Sequence, residues 1–259
     1  MGIVNTTHDS FFSGSCAPTL DDVQALAECH VRSGAQIIDI GGESSRPGSA
    51  YVSLEEELSR VVPAVAQVHL NHPSVTISVD TRKEPVARAA LDAGAAMVND
   101  ISGLRDDPAL AALVAERRVP VCIMHMQGTP RTMQENPHYD DVVQDVLRDL
   151  TRFLQPAKAA GVRDEQIILD PGIGFGKEFA HNWSILRNLE RFREPGYPLL
   201  IGLSRKRFLG PEQPPQMRLN ATLAAQLWCT LQGAAILRVH DVAPMMEMLT
   251  VLEAILTAN

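Results

Sequence analysis

The sequence lacks the features that mark several large classes of protein. Its 259 residues include four cysteines, Cys16, Cys29, Cys122 and Cys229, which are widely spaced and form no CxxC pair. Neither a disulfide framework nor a structural zinc site is therefore expected. No apolar run approaches the roughly 18 residues of a membrane span, and no signal peptide is recognisable. We expect a cytoplasmic protein with reduced thiols and no membrane partner.

Positive charge is also in short supply. Lysine and arginine number 23 against 31 aspartates and glutamates, which gives a formal net charge of -8. Nucleic acid and anionic membranes would repel such a chain, so no nucleic-acid partner is expected. An anionic small substrate would have to be held by a local cluster of cations.

Familiar catalytic motifs are missing as well. No Ser-His-Asp order, HExxH motif or clustered histidines occur. The segment 170–177, DPGIGFGK, looks like a nucleotide-binding loop, but it fails the GxxxxGK[ST] spacing and Glu178 stands where Ser or Thr is required. Its glycines are expected to let the backbone turn tightly beside a ligand. His125 alternates with two methionines, and we expect it to support the core rather than bind a ligand.

Short apolar runs recur along the chain, and this is its clearest positive feature. Each run has mostly β-branched or aliphatic residues, which is typical of a strand buried on both faces of a parallel sheet. The predicted strands are Gly2–Asn5, Gln36–Ile40, Thr76–Asp80, Ala96–Asp100, Val121–Met126, Gln166–Asp170, Leu199–Leu203 and Ile236–His240.

Helical patterns separate these runs. Ser53 and Glu56 form a capping-box pattern, Asp107-Pro108 predicts a helix start, and Gly161 predicts a helix end after 140–160. The last helix is predicted at about 243–256. Eight evenly spaced units predict an α/β fold, a (β/α)8 TIM barrel forming a single domain over residues 1–259. A doubly wound open sheet is the alternative, but its dinucleotide glycine fingerprint is absent.

Polar residues at the predicted strand ends fall into two groups, and the chemistry of a barrel sits at this rim. The first group follows strands two, seven and eight, where this fold usually binds phosphate, and it predicts a cationic pocket for an anionic ligand. Solvated surface cations are the alternative interpretation. The group comprises Ser45, Arg46, Ser204, Lys206, Arg238 and His240.

The second group ends strands three, four and six. Asp80, Asn99 and Asp170 supply two carboxylates and an amide, which suit a ligand edge rich in N–H donors, such as an aminopyrimidine. Structural hydrogen bonding at the rim is the alternative, and for Asp100 it is the favoured one. Met124 could pack on a flat ring, although by itself it would be assigned to the core.

In their order along the chain, eight motifs resemble the dihydropteroate synthase family, one motif for each strand. They are MGIVN at 1–5, GGESSRPG at 41–48, SVDT at 78–81, ND at 99–100, MHMQG at 124–128, DPGIGFG at 170–176, SRK at 204–206 and RVH at 238–240.

The resemblance implies a reaction and a set of roles. A pterin that carries a CH2-pyrophosphate would condense with p-aminobenzoate in folate synthesis, along an SN1-like path, with Lys206, Arg238, His240 and Asp80 catalytic. It also implies Mg2+ as cofactor and a homodimer. By position, Asp80, Asn99, Met124, Asp170 and Lys206 would bind the pterin, Ser45, Arg46, Arg238 and His240 the pyrophosphate, Pro47, Phe175 and Ser204 the p-aminobenzoate, and Asn5 the Mg2+.

The first loop departs from the family pattern N-x-T-P-D-S-F-S-D-G-G. His8, Phe12, Ser13 and Ser15 stand where the pattern has proline, serine, aspartate and glycine. The change alters the stiffness and charge of the loop and predicts altered handling of p-aminobenzoate or sulfonamides. A non-catalytic pterin-binding paralogue and a pterin-dependent methyltransferase domain are the alternatives. The chain also begins almost at strand one, so we expect a misplaced start or a less covered barrel floor.

Overall fold

The computed structural model describes residues 1–7 and 13–258, in which strands and helices alternate along the chain. The strands are β1 (Gly2–Asn5), β2 (Ile37–Gly41), β3 (Thr76–Asp80), β4 (Met97–Asp100), β5 (Val121–Met124), β6 (Ile167–Asp170), β7 (Leu200–Ile201) and β8 (Ile236–Leu237). The helices are α1 (Leu20–Arg32), α2 (Leu54–Asn71), α3 (Glu84–Asp92), α4 (Ala109–Arg117), α5 (Val142–Ala159), α6 (Phe179–Arg187), α7 (Leu219–Leu231) and α8 (Val242–Thr257).

The strands close into a barrel. β1 to β6 form a parallel sheet in sequence order, and β7 pairs in parallel with β8. Isolated bridges complete the ring: Leu169 pairs with Leu199, and Gly2 pairs with Val239. The predicted (β/α)8 barrel is therefore confirmed, and the open-sheet alternative is wrong. All strand carboxyl ends consequently meet at one rim.

Two strands are much shorter than the sequence predicts. β7 ends at Ile201 and β8 at Leu237, so Lys206, Arg238 and His240 lie in the segments that follow the strands. The backbone turns after β7, where the Lys206 amide donates to the Leu203 carbonyl at 3.2 Å and Arg205 adopts a φ of 56°. A left-handed residue ends the extended conformation that a strand needs. β5 likewise ends at Met124 rather than Met126.

The helix ends follow the predicted capping residues closely. The Ser53 hydroxyl accepts from the Glu56 amide at 3.2 Å and starts α2. The Glu56 carboxylate pairs with Arg60, so only half of the predicted capping box is present. α5 is capped by Asp141, and Gly161 follows it with a φ of 96°. No helix of residues 1–7 and 13–258 is long and apolar enough to cross a membrane.

The barrel interior is layered, because alternate residues of a strand face the same side. The lower layer is apolar and includes Met97, Cys122, Ile168 and Leu200, which pack together. Moving two residues along β4, β5 and β6 reaches the next layer, which is largely polar. Its members are Asp39, Asn99, Met124, Asp170 and, just past β8, Arg238. The fold thus builds a polar chamber on an apolar floor.

Candidate active site

A cleft opens at the carboxyl rim of the barrel, above the polar layer. β1 contributes Asn5, and the segments after β2, β6, β7 and β8 contribute most of the remaining lining. The lining residues are Ile3, Asn5, Ser44, Ser45, Phe175, Gly202, Ser204, Lys206, Arg238 and His240. The structure therefore brings together residues that are scattered over the whole sequence.

Arg238 connects the two predicted groups of polar residues. Its Nε donates to Oδ2 of Asp39 at 2.6 Å, and its Nη2 donates to Oδ2 of Asp80 at 2.8 Å. The sequence pattern predicts the cations and the carboxylates on separate sides of the rim. They instead share this guanidinium, so part of its charge is already balanced before any ligand arrives.

Asp39 is a site residue that the sequence analysis missed. It lies in the middle of β2 and is fully buried, and the Nδ2 of Asn99 also donates to its Oδ2 at 3.1 Å. Rim residues are expected at strand ends, and Asp39 is in the middle of its strand. A carboxylate inside the apolar run Ile-Ile-Asp-Ile was the available signal, because such a charge needs a buried partner.

Asp80 shares this chamber. Burial raises the pKa of its carboxyl to about 7, with the Arg238 guanidinium opposing the rise and the Asp39 carboxylate adding to it. A narrow recess beside Asp80 is also lined by Ser45 and Ile101. Asp80 is therefore placed to hold a proton or to accept hydrogen bonds near neutral pH.

Lys206 lies at the rim and interacts electrostatically with Asp170. Its Nζ donates to the Ile173 carbonyl and lies 4.4 Å from the centre of the Phe175 ring. Burial lowers the pKa of Lys206 to about 7, while Asp170 opposes that shift. Asp170 is itself buried, and its Oδ1 accepts from the Gly172 amide at 2.7 Å. An anion in the cleft would restore the charge on this lysine.

His240 differs from its expected role as a cation. Burial lowers its pKa to about 3, and the positive charges of Arg238, Arg205 and Lys206 lower it further. Its Nδ1 lies 2.9 Å from the Ser204 hydroxyl. His240 is therefore neutral in this cleft at neutral pH and offers hydrogen bonds. The sequence could not show this, because the lowered pKa comes mainly from burial in the folded cleft.

Arg205 stands between two cleft residues but faces away from them. It forms a bidentate pair with Asp241 at 2.6 and 2.7 Å and donates to the carbonyls of Pro215 and Gln216. The pair ties the segment after β7 to the start of α8. Because Ser204 and His240 flank these two residues in sequence, the pair fixes both sides of the cleft.

The glycine-rich segment after β6 is held by a buried lysine. Nζ of Lys177 lies 3.0 Å from each of three atoms: the Gly172 carbonyl oxygen, the Phe175 carbonyl oxygen and Nδ1 of His125. Burial lowers the pKa of Lys177 to about 7. In the sequence, Lys177 stood out only as the lysine of a failed nucleotide motif. In the structure, its ammonium group binds backbone carbonyls of its own segment and so supports the loop that carries Phe175.

His125 points away from the chamber, as the alternation with Met124 and Met126 indicates. Its Nε2 lies 3.4 Å from Asp149 on α5, and burial followed by the charge of Lys177 lowers its pKa to about 4. Met124 faces the other way and packs in a buried apolar cluster with Ile101, Met126, Met133 and Phe175. This cluster forms an apolar wall beside the polar chamber.

The residues predicted for p-aminobenzoate are divided between two clefts. Phe175 and Ser204 line the first cleft. Pro47 is exposed and lines a neighbouring cleft of about 440 Å³ together with Phe179 and Phe208. Lys206 borders both clefts. A ligand that passes Lys206 would therefore reach from the polar chamber to the aromatic side chains.

Asn5 meets the first loop at the cleft. Its Nδ2 donates to the hydroxyl of Ser15, which is buried, at 3.0 Å. Ser15 is one of the departures from the family pattern. Its hydroxyl contacts the side-chain amide of Asn5, which is predicted to bind Mg2+. Arg46 is half-buried and does not line the cleft formed by the described residues, so its assignment to pyrophosphate stays a prediction. His8 and Phe12 lie outside the described residues.

The barrel, the polar chamber and the rim cleft define an enzyme of the pterin-binding class, and comparison with known families agrees. A family model described as "Pterin binding enzyme" matches residues 1–240. Since the match covers most of the chain, the chain belongs to this family.

Curated relatives and solved structures narrow the class. The dihydropteroate synthase of Escherichia coli K12 is 46% identical over 261 residues, covering 100% of this chain and 92% of the relative. The synthase of Haemophilus influenzae is 47% identical, with coverage of 100% and 94%. A Yersinia pestis dihydropteroate synthase in a sulfonamide complex superposes with a TM-score of 0.96 at 43% identity, covering 100% of this chain and 94% of that one. A Xanthomonas albilineans synthase with 4-aminobenzoic acid gives 0.91 at 43% identity, with coverage of 100% and 93%. These relatives place the chain among the dihydropteroate synthases.

Proposed function

We propose that this chain condenses a dihydropterin CH2-pyrophosphate with p-aminobenzoate to give dihydropteroate and pyrophosphate. The proposal rests on one observation: a chamber of carboxylates and an amide meets a cationic rim at Lys206. A chamber of carboxylates and an amide suits the N–H groups of a pterin, and a rim with Lys206, Arg238 and hydroxyl groups suits an anionic leaving group. A related Xanthomonas albilineans synthase has been solved in complex with 7,8-dihydropteroate, at 41% identity.

The residues divide the chemistry in the proposed reaction. Asp80, Asn99 and Asp170 orient the pterin, while Arg238, Lys206, Ser45 and His240 receive the pyrophosphate. As the leaving group departs, negative charge grows on its oxygens, and Lys206 becomes more strongly protonated in response. The arylamine nitrogen then attacks the methylene carbon, which the pterin ring stabilises as a cation. The uncharged amine needs no strong base to attack, and the proton that its nitrogen then loses passes to the departing pyrophosphate or to water.

Mg2+ would be held mainly by the substrate. Within residues 1–7 and 13–258, no group of three or more His, Cys, Asp or Glu side chains is arranged to bind a metal. The side-chain oxygen of Asn5 is the neutral ligand expected from the resemblance, since its Nδ2 is turned to Ser15. Such a donor set fits an ion whose other ligands are phosphate and water oxygens, as Mg2+ prefers. When bound, the ion would neutralise charge on the pyrophosphate.

The test is a turnover assay with pterin pyrophosphate, p-aminobenzoate and Mg2+, in which pyrophosphate release is measured. Release that depends on p-aminobenzoate is expected. Lys206→Ala and Asp80→Ala should each lower kcat/KM by about 100-fold or more, since each removes a buried charged contact. Pterin binding without turnover would instead indicate the non-catalytic paralogue and would overturn the proposal.

We further propose that the whole chain acts as one barrel domain in the cytoplasm and assembles as a homodimer through α7 and α8. The two helices pack on each other but leave large apolar side chains exposed: Trp228, Leu231, Val251, Ile255 and Leu256. Exposed apolar surface on this scale is typical of an interface, and a second copy of the chain is the partner that the family resemblance implies. The cysteines among the described residues are free thiols, which suits a reducing compartment.

A further inference from the structure

Asp39 takes no part in the proposed chemistry, yet it contacts two residues that do. Oδ2 of this fully buried carboxylate accepts from Nε of Arg238 at 2.6 Å and from Nδ2 of Asn99 at 3.1 Å. The three residues come from β2, β4 and the segment after β8. One oxygen atom therefore links the pterin side of the site to the cationic side.

We propose that Asp39 is a positioning residue that sets the hydrogen-bonding polarity of the pterin chamber by fixing the Asn99 amide and the Arg238 guanidinium. This inference rests on the proposed function, because it assigns the origin of specificity within the same site.

The orientation of the Asn99 amide depends on which groups can donate hydrogen bonds and which can accept them. An ionised carboxylate only accepts hydrogen bonds, whereas a primary amide has one donating end and one accepting end. Asp39 therefore selects the orientation in which the Asn99 nitrogen faces β2. The amide oxygen is then left to face other groups, and a ligand must meet it with an N–H donor. Without Asp39, either end of the amide could face the ligand.

The orientation of Arg238 is set by the geometry of its guanidinium. The guanidinium is planar and its donors lie in a fixed fork. Asp39 engages Nε and Asp80 engages Nη2, so two carboxylates define the plane of the group. Because Arg238 lies beside Lys206 and His240 in the cleft lining, that plane determines which N–H bonds remain for an anion.

Ser78 supplies a matched control. It is the partner of Asp39 in the β2–β3 register and is fully buried. Its hydroxyl has no hydrogen-bond partner among the residues that the structure describes. Replacing Ser78 therefore disturbs the same layer of the barrel without removing a contact to Asn99 or Arg238.

The experiment exchanges the polarity of the pair. Asp39→Asn keeps the shape of the side chain but lets residue 39 donate as well as accept. Asn99→Asp alone would place two carboxylates together. In the double variant D39N/N99D, the new amide nitrogen donates to the new carboxylate, which again presents an oxygen toward the ligand, and the amide oxygen is left to accept from Nε of Arg238.

Binding of 6-hydroxymethylpterin is measured by calorimetry, and the KM for p-aminobenzoate is measured by turnover. We expect each single variant to weaken pterin binding by about tenfold or more, as for loss of a charged hydrogen bond. The double variant should recover binding to within about threefold of the unmodified chain, because one such bond is restored. Ser78→Ala should change pterin binding by no more than about twofold. Asp39→Asn should change the KM for p-aminobenzoate by no more than about twofold.

Three outcomes would count against positioning by Asp39: unchanged pterin binding in Asp39→Asn, an equal loss in Ser78→Ala, or a double variant as weak as the single ones. A merely structural role would lower the thermal midpoint and the active fraction without rescue by the polarity exchange. Failure of the unmodified chain to bind the pterin would instead overturn the proposed function.

Discussion

At some positions of the site, the close approach of another backbone segment limits which residue can be present. Gly172 follows Asp170 in the segment after β6 and adopts a φ of +68°. A Cβ at this position would lie 1.8 Å from the carbonyl oxygen of His125, which is backbone and cannot rotate away. Only glycine allows this close approach, and the approach sets the path of the loop that carries Phe175 and Lys177.

Gly172→Ala is therefore expected to destabilise the protein by more than the usual cost of a left-handed alanine, which is about 1–2 kcal/mol. The control is Gly196→Ala, since Gly196 has a φ of +88° with nothing within 4 Å of the added Cβ. Urea denaturation midpoints of the two variants measure the difference. Equal losses in both would show that the contact with His125 costs nothing.

At the scale of elements, β5, the glycine-rich segment and α5 are joined by one buried polar chain. His125 follows β5, and its ring lies between Lys177 and Asp149 of α5. The ring is buried and neutral, with its pKa lowered to about 4 by burial and then by Lys177. Protonation of the His125 ring is therefore expected to weaken the packing of these elements.

This arrangement predicts loss of stability as pH falls from about 6.5 to 4. In that window His125 binds a proton in the unfolded state but not in the folded state, so falling pH stabilises the unfolded state. The contribution is at most about 3 kcal/mol. Denaturation midpoints measured between pH 7 and 4 should fall less steeply in His125→Gln. His138→Gln, whose side chain is 80% exposed, is the control and should keep the original slope.

The first loop differs from the dihydropteroate synthase pattern at His8, Phe12, Ser13 and Ser15. Its Ser15 hydroxyl contacts Asn5, so the departure reaches the cleft. We propose that the loop alters the response to p-aminobenzoate and sulfonamides. Restoring the family pattern by His8→Pro, Phe12→Ser, Ser13→Asp and Ser15→Gly should shift the sulfonamide inhibition curve, the KM for p-aminobenzoate, or both, by about threefold or more, the size expected for one modest contact. Superimposable curves for the two proteins would refute the proposal.

At the scale of the whole molecule, the relevant feature is the exposed apolar surface of α8. α8 exposes Val251, Ile255 and Leu256 to the extent of 59%, 68% and 68%. Such side chains in one helix would make a monomer prone to association. We therefore expect the chain to be dimeric in solution.

Ile255→Glu should convert the dimer to a monomer, because a charge would be buried at the interface. Analytical ultracentrifugation measures the mass directly. Leu70→Glu changes an equally exposed leucine on α2, where the side chain is 79% exposed, and should leave the mass unchanged. A monomer before any substitution would contradict the assembly.

The sequence by itself determined the barrel and the rim positions of several polar residues. Buried strands have continuous apolar runs, and their polar ends mark the rim, so Asn5, Asp80 and Asp170 could be placed from local pattern alone. The ordered family motifs added the reaction. These features are local, because each depends on a few neighbouring residues of one strand and its loop.

The tertiary structure decided what the sequence left open, and the physical reason is that charge and hydrogen bonding depend on neighbours across strands. Asp39 became a site residue only when closure of the barrel brought Arg238 and Asn99 to it. The pKa of His240 is lowered first by burial in the folded cleft and then by the positive charges of Arg238, Arg205 and Lys206. The folded chain likewise ends β7 at Ile201, ahead of the left-handed turn at Arg205, whose guanidinium is held by Asp241.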